Sequence, residues 1–473
     1  MSLRAGRSRR AASVFLCALL VLGSCAATFA GTPADQPARH SPGWLRRGVV
    51  YEIFPRDFSP RGDLNGVTAR LDDLADLGVT ILWVMPIHPI GEKFRKGTLG
   101  SPYAVRDYYA VDPDYGTLGD FQRLVSEAHK RKLKVIMDVV ADHTAWDSVM
   151  MAHPEFYKQD GNHHIIPPTP EWTDVAGLNY ENAELRAYML KMLAYWVRTC
   201  DVDGFRCDVA SMVPTDFWVA ARAELARIKP DIMMLAEASK PELLTEAFDI
   251  DYAWPLLGAL NNVLLDDAPA TALRDCWLAD QRQFPKGALH LRISDDHDEP
   301  RAVARFGIRG ALAASALMFS LDGVPLLYNG MEVGDATESG DPALFGKFPI
   351  CWEPKGRSSR ATYQALIKLR KEHRAFTDGS LAWLPCSNER DTAAVLRAGG
   401  DEEFLTVINL SSRPLETRIE VKAAPEFQAV KIAGAPAIAA NDFPLCHLKG
   451  YEWRIYRRSV KSSLAFQTAD PAK

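Results

Sequence analysis

Arg206 and Asp208 lie two residues apart in the stretch Gly204-Phe205-Arg206-Cys207-Asp208-Val209-Ala210. Apart from this pair the stretch is apolar and proline-free, and it reads as a short buried strand. Strand side chains alternate, so both charged groups point to one face. Buried charge is costly unless it is paired or used. Two readings follow: a structural ion pair, or a carboxylate held ionised by its guanidinium neighbour and ready to attack as a nucleophile, its pKa lowered by the positive charge. A second carboxyl, Glu237, ends the apolar run Met233-Met234-Leu235-Ala236. An apolar surround and nearby negative charge keep such a carboxyl protonated near neutral pH, which fits a proton donor.

The elements that must position these groups alternate in type. Strands are expected over 49–54, 80–85, 134–140, 205–208 and 232–236. Helices are expected over 67–77, 117–131, 182–200 and 215–228. In the second of these, Thr117 and Asp120 have capping-box spacing, and Phe121, Leu124, Val125 and Ala128 share a face. Fainter strands follow over 250–254, 289–294 and 324–329, and the last helix of the series covers 363–373. Strands alternating with helices give a parallel sheet, and eight such units fit a (β/α)8 barrel over 44–376. The aperiodic segment 143–180 reads as a short inserted domain after the third strand. Beyond it, stretches 392–397, 404–410, 416–421, 429–432 and 452–456 look antiparallel, giving a C-terminal β-sandwich over 377–458 and a tail over 459–473. The fold class expected is therefore α/β, a barrel with an added β domain.

Active sites of such barrels lie at the C-terminal ends of the strands. Polar residues collect there: Asp138, Asp142 and His143 at the third strand, Arg206 and Asp208 at the fourth, Glu237 at the fifth, and Asp295, Asp296, His297, Asp298 and Glu299 at the seventh. A lone histidine or glutamate at a strand end is commonly structural, but four such sites at one end of one barrel point to a shared task. Glycosidic bond cleavage uses such a set, with one carboxylate as nucleophile and one carboxyl as acid.

Asp138-Val-Val-Ala-Asp-His143, Gly204-Phe-Arg-Cys-Asp208, Glu237 and His297-Asp298 follow the order of the four signature regions of the alpha-amylase family of retaining glycoside hydrolases, which the chain resembles over 47–456. Gly100-Ser-Pro-Tyr103, Gly177-Leu-Asn179 and Gly323-Val-Pro-Leu-Leu-Tyr-Asn-Gly330 add to the resemblance. It implies Asp208 as nucleophile, Glu237 as general acid/base and Asp298 as the third carboxylate, gripping sugar hydroxyls. It further implies His143 and His297 as hydrogen-bond donors to the first sugar, Arg206 as the residue orienting Asp208, and Tyr103 as a stacking platform. The implied reaction is double displacement on α-glucans, mainly α-1,4 maltooligosaccharides or starch fragments. Transglycosylation by the same residues is the alternative, and a non-catalytic carbohydrate-binding protein is a further one, disfavoured because all three carboxylates are present.

The chain departs from the family pattern at several points. Ser211-Met212 stands where many relatives have Lys-His, Asp142 and Asp296 where Asn is common, and Arg61-Gly-Asp-Leu-Asn-Gly66 lacks the spaced acids of a calcium loop. No cofactor is expected, and a structural calcium is not supported by this pattern. His163-His164 reads as a polar loop rather than a metal site.

The chain begins with Arg4, Arg7, Arg9 and Arg10, then a short apolar run to Gly23, and then Leu22-Gly-Ser-Cys25, which resembles a bacterial lipobox. A signal over 1–25 and a linker over 26–43 are expected. The protein is then exported, either periplasmic or membrane-anchored through lipidated Cys25, or secreted. No later apolar stretch reads as long enough to span a membrane. The 473 residues are 47% hydrophobic and 24% charged, ordinary for a globular protein, and the net charge of −5 argues against a nucleic-acid partner. Six cysteines follow Cys25, scattered without metal or disulfide-scaffold spacing.

Overall fold

The computed structural model describes residues 32–353, 358–435 and 443–460. Eight short segments rich in β-branched and apolar residues form parallel strands: β1 Val50–Ile53, β2 Ile81–Val84, β3 Lys134–Val140, β4 Gly204–Asp208, β5 Met233–Ala236, β6 Ile250–Tyr252, β7 His290–Arg292 and β8 Val324–Tyr328. Each pairs with the next, and β8 pairs with β1, closing the barrel. Nearly every strand residue is buried, as expected when helices cover the outer face and side chains fill the interior.

Helices start and stop where local chemistry tells them to. The Thr117–Asp120 capping box opens the helix Leu118–Lys130, and Asn182 accepts from the backbone of Glu184 and Leu185 to open Ala183–Cys200. The helix expected over 67–77 is instead two, Leu64–Thr68 and Leu71–Leu77. Asp63 caps the first by accepting from Gly66, and Gly78, at φ 99°, ends the second in a conformation that disfavours other residues. Ala302–Ser320 is long and apolar enough to cross a membrane by composition, contrary to the sequence reading. Here it is kinked at Gly307, and its second half, Ala313–Ser320, is buried throughout, with Ser320 Oγ donating to Thr406 Oγ1 of the C-terminal domain.

The inserted segment 143–180 is built on a small antiparallel ribbon, His143–Ala145 with Val175–Gly177. His163 and His164 lie exposed on its loop, with His164 beside Asp160 rather than a metal cluster. The C-terminal domain adds β9 Ser380–Trp383, β10 Thr392–Gly399, β11 Glu402–Asn409, β12 Leu415–Arg418, β13 Gln428–Ala429, β14 Leu445–Leu448 and β15 Trp453–Ser459. One sheet has the order β9-β10-β11-β15-β13, and β12 pairs with β14 across a core of Leu405, Val407, Phe427, Cys446 and Tyr456. Among the described residues no two cysteines are joined in a disulfide.

Residues 32–43, expected to be linker, are strapped to the barrel. Ala38 and Arg39 donate backbone hydrogen bonds to Lys286 and Leu244, and Ser41 Oγ donates to Asp249. The signal at 1–25 and residues 461–473 of the tail lie outside the described residues.

Barrel closure has its own fastening. Arg370 is buried and donates to four carbonyls, those of Arg46 and Gly48 before β1, Gly323 before β8, and Phe376 at the start of the second domain. Removing the guanidinium takes this donor from four carbonyls, two of them, Gly48 and Phe376, fully buried. Arg370→Leu is expected to lower unfolding stability by about 3 kcal/mol or more, read from urea denaturation. A change under about 0.5 kcal/mol would show that these carbonyls find other partners.

Candidate active site

Alternation along β4 places Arg206 and Asp208 on the same face, as the sequence predicts, at the top of the barrel interior. Arg206 is fully buried, and its guanidinium lies 5.1–5.7 Å from the ring centres of Trp83, Tyr103 and Tyr252. Its Nη1 donates to Asp208 Oδ1 at 2.7 Å and to Asp138 at 3.1 Å. Its Nη2 is 2.9 Å from Glu237 Oε2, a close ion contact rather than an aligned hydrogen bond. One guanidinium thus holds three carboxyls from β3, β4 and the end of β5.

Glu237 Oε2 also accepts from the backbone N–H of Val209 at 2.7 Å. Val209, directly after Asp208, has φ 36° and ψ 46°, a left-handed conformation that β-branched residues rarely take. Strain of this kind persists where surrounding structure enforces it, commonly at functional sites.

Burial raises the Asp208 carboxyl to about 6, although Arg206 pulls it down. This corrects the expectation that Arg206 sets Asp208 below the usual carboxylate range: a barrel interior strips water from the group, and that outweighs the attraction. Burial likewise raises Glu237 to about 7; Arg206 opposes the shift, and Asp208 and Asp298 add to it. Of the two, Glu237 keeps its proton to the higher pH.

His297 connects β1 to the cleft. Its Nδ1 lies 2.6 Å from Glu52 Oε1, and its Nε2 is 2.7 Å from Tyr103 Oη and 3.3 Å from Asp298 Oδ1. Tyr103 Oη in turn donates to Asp138 at 3.2 Å. The Tyr103 ring stacks on His297, centres 5.4 Å apart, so one face of the expected platform is covered by protein. Asp298 keeps 38% of its side-chain surface exposed and faces solvent, unlike its buried neighbour Asp296, whose Oδ1 accepts from the backbone of Asp298 and Glu299. His143, buried, lies 2.8 Å from Asp142 and edge-on to Trp172.

Burial opposes charge on His297, but Asp298 and Glu52 outweigh it and raise the imidazole from its ordinary 6.5 to about 10. The stability this charge contributes is present below pH 6.5 and is lost as pH rises through about 10. Glu52→Gln removes one of the two anions, so the His297 imidazole should titrate at least about one unit lower, followed by NMR, with kcat/KM falling about tenfold. An unmoved titration would assign the charge to Asp298 alone.

Asp142, His143 and Asp208 each place one ligand atom within 4.8 Å of the others. This set does not fit calcium, which takes six to eight oxygens, and Asp208 is already committed to Arg206.

The seven residues given catalytic or sugar-binding roles from the sequence, Tyr103, His143, Arg206, Asp208, Glu237, His297 and Asp298, meet at this end of the barrel. Glu52, Trp83 and Tyr252 belong to the same constellation and were not singled out. Glu52 carried a signal, a lone acid in the apolar strand Val50–Ile53, the same anomaly that marks Arg206. Trp83 and Tyr252 carried none, being aromatic residues in strands where aromatics are ordinary.

The alpha-amylase catalytic-domain model matches residues 28–164 and 171–359. A cyclomaltodextrinase of Geobacillus thermopakistaniensis is 27% identical over 457 residues, covering 86% of this chain and 76% of that protein. A trehalose-6-phosphate hydrolase of Bacillus subtilis is 35% identical over 373 residues, covering 62% of this chain and 65% of that protein. Among solved structures, the noncanonic maltogenic alpha-amylase AmyB of Thermotoga neapolitana superposes with a TM-score of 0.79 at 29% identity, covering 88% of this chain and all of that one. With the catalytic-domain match spanning the barrel that carries the carboxyl cluster, the chain belongs to the alpha-amylase family and is a glycoside hydrolase.

Proposed function

We propose that this chain hydrolyses α-1,4 bonds of maltooligosaccharides, linear or cyclic, with retention of anomeric configuration. The observation that carries the reading is Arg206 shared between two carboxyls, with Nη1 2.7 Å from Asp208 Oδ1 and Nη2 2.9 Å from Glu237 Oε2. Asp208 attacks the anomeric carbon as Glu237 passes its proton to the departing glycosidic oxygen, so the C1–O bond breaks and a glycosyl ester on Asp208 forms. Glu237, now a carboxylate, takes a proton from water; the hydroxide oxygen bonds to C1, and Asp208 leaves. Arg206 balances charge on both carboxyls through the cycle. Asp298 and His297 grip the sugar hydroxyls, and His143 donates to the same sugar. The names of the relatives, cyclomaltodextrinase and maltogenic alpha-amylase, support short or cyclic glucans as the substrate class.

The test is a time course with maltoheptaose, resolving products by length and anomer. Shorter products released as the α-anomer support the reading. β-Anomers overturn retention, products longer than the substrate transfer the reading to transglycosylation, and no reaction overturns the substrate. Protein added with and without a chelator shows whether a cation takes part.

The basic, apolar start of the chain and its Leu22-Gly-Ser-Cys25 stretch support export with lipid anchorage at Cys25. In a bacterial host, fatty-acid label should enter the protein and be lost in Cys25→Ser; label in neither would sink this part.

A further inference from the structure

Asp296 is a buried carboxyl at the catalytic end of the barrel that the mechanism leaves unused, at a position where the chain departs from the family pattern. Its Oδ1 accepts from the backbone N–H groups of Asp298 and Glu299, each at 3.2 Å. It thereby ties the turn after β7 that carries Asp298 into the cleft. Its Oδ2 has no hydrogen-bond partner among the described residues.

The surroundings decide its charge. Glu52 from β1, Tyr252 from β6, and Asp295, His297 and Asp298 from its own turn all act on it. His297 is the cation of this group, and both of its ring nitrogens are engaged. Nδ1 lies 2.6 Å from Glu52 Oε1, and Nε2 lies 2.7 Å from Tyr103 Oη and 3.3 Å from Asp298 Oδ1. Asp295 has Arg301 at 3.7 Å. Asp296 forms no ion pair with any described residue. Three buried carboxyl oxygens in the group, Glu52 Oε2, Asp295 Oδ1 and Asp296 Oδ2, meet no donor. A carboxylate only accepts, whereas a carboxylic acid donates through its O–H. A bound proton supplies a donor and removes a charge at once. It belongs on Asp296, the carboxyl with no cation of its own, because an unpaired buried charge costs far more than a neutral acid. Burial, then the charges of Asp298 and Glu52, move this carboxyl well above the usual carboxylate range, against the pull of His297.

We propose that Asp296 is a positioning residue held as a neutral carboxylic acid, which fixes the turn bearing His297 and Asp298 without setting another negative charge beside them. Its Oδ1 serves the two N–H groups as an asparagine carbonyl would. An ionised Asp296 would hold the same turn but repel the Asp298 carboxylate that grips the sugar. The protonation does not depend on substrate; its part in turnover rests on the hydrolase reading above.

The charge state is read without substrate, from the infrared difference between wild type and Asp296→Asn at neutral pH. Loss of the C=O stretch of an un-ionised carboxyl is expected. Loss of carboxylate bands instead would overturn the proposal. So would failure of Asp296→Asn to fold, because the amide offers both N–H groups the same acceptor. Linkage gives a second reading. The folded protein keeps a proton that the unfolded chain releases above the ordinary carboxyl range, so rising pH favours unfolding of wild type over the variant. Between about pH 5 and about pH 7 the ratio of unfolding constants, wild type to Asp296→Asn, should rise about tenfold per pH unit. A ratio that stays constant would place a carboxylate there. Turnover tests the positioning. On maltoheptaose Asp296→Asn should keep kcat/KM within about twofold of wild type, and Asp296→Ala, which has no acceptor, should lose about tenfold. Equal losses in both variants, or no loss in either, would overturn the positioning role. If wild type cleaves no maltooligosaccharide, the substrate reading fails, and the infrared and unfolding results still decide the charge.

Discussion

Asp208→Asn is expected to lower turnover of maltoheptaose by about 10⁴-fold or more, the size seen when a covalent nucleophile is removed from an otherwise intact site. The variant should still fold. Asparagine presents a carbonyl oxygen in the same position, so Arg206 Nη1 retains the acceptor it now holds at 2.7 Å. What is lost is the charge and the second oxygen. Oδ1 is occupied by Arg206, whereas Oδ2 has no hydrogen-bond partner among the described residues and is the atom available for attack. A mechanism-based fluoroglycosyl reagent separates this role from simple electrostatic support. It should label wild type at Asp208 and leave Asp208→Asn unlabelled. Label recovered on Asp138 or Asp298, or turnover in the variant above about 1% of wild type, would move the nucleophile elsewhere.

The sequence carried the site because chemistry-bearing residues stood out against apolar strands. Arg206 and Asp208 are anomalous in Gly204–Asp208, and alternation alone puts them on one face. Of the three fainter strands, β6 and β7 are only three residues each and contain charges, Asp251 and His290, that look unlike a buried strand. They are buried because they satisfy each other, His290 Nδ1 lying 2.6 Å from Asp251, and a cross-strand pair of this kind has no signature in either segment alone. Helix Ala302–Ser320 escaped notice for the opposite reason. Its second half, Ala313–Ser320, is buried on all sides and so lacks the amphipathic period that marks a surface helix. The Asp208 shift was misjudged because a sequence shows an adjacent arginine but not the degree of water exclusion, and here exclusion is the larger effect. Tyr103 shows a related limit: its position at the cleft was legible, but its stacking on His297, 194 residues away in the chain, was not.

Glu237→Gln should be nearly as damaging on maltoheptaose, about 10³-fold or more, but its defect should depend on the leaving group. The glutamine still accepts from Val209, so geometry at the strand end survives, while the proton that a sugar leaving group needs is gone. An α-glucosyl fluoride leaves without protonation. With it, the first step should proceed in the variant, and the glycosyl ester on Asp208 should accumulate because no carboxylate remains to deprotonate water. Azide, which needs no deprotonation, should release it as a glycosyl azide. The pH profile gives an independent check. Wild-type kcat/KM requires Asp208 ionised, so it rises with pH through about 6, and Glu237 protonated, so it falls with pH through about 7. The two carboxyls share Arg206, and the limbs therefore belong to the pair rather than to single residues. In Glu237→Gln, measured with the fluoride, the falling limb should vanish and the rising limb remain. A falling limb that persists would assign the proton to another group, and Glu237 would then be the residue that merely shares the guanidinium.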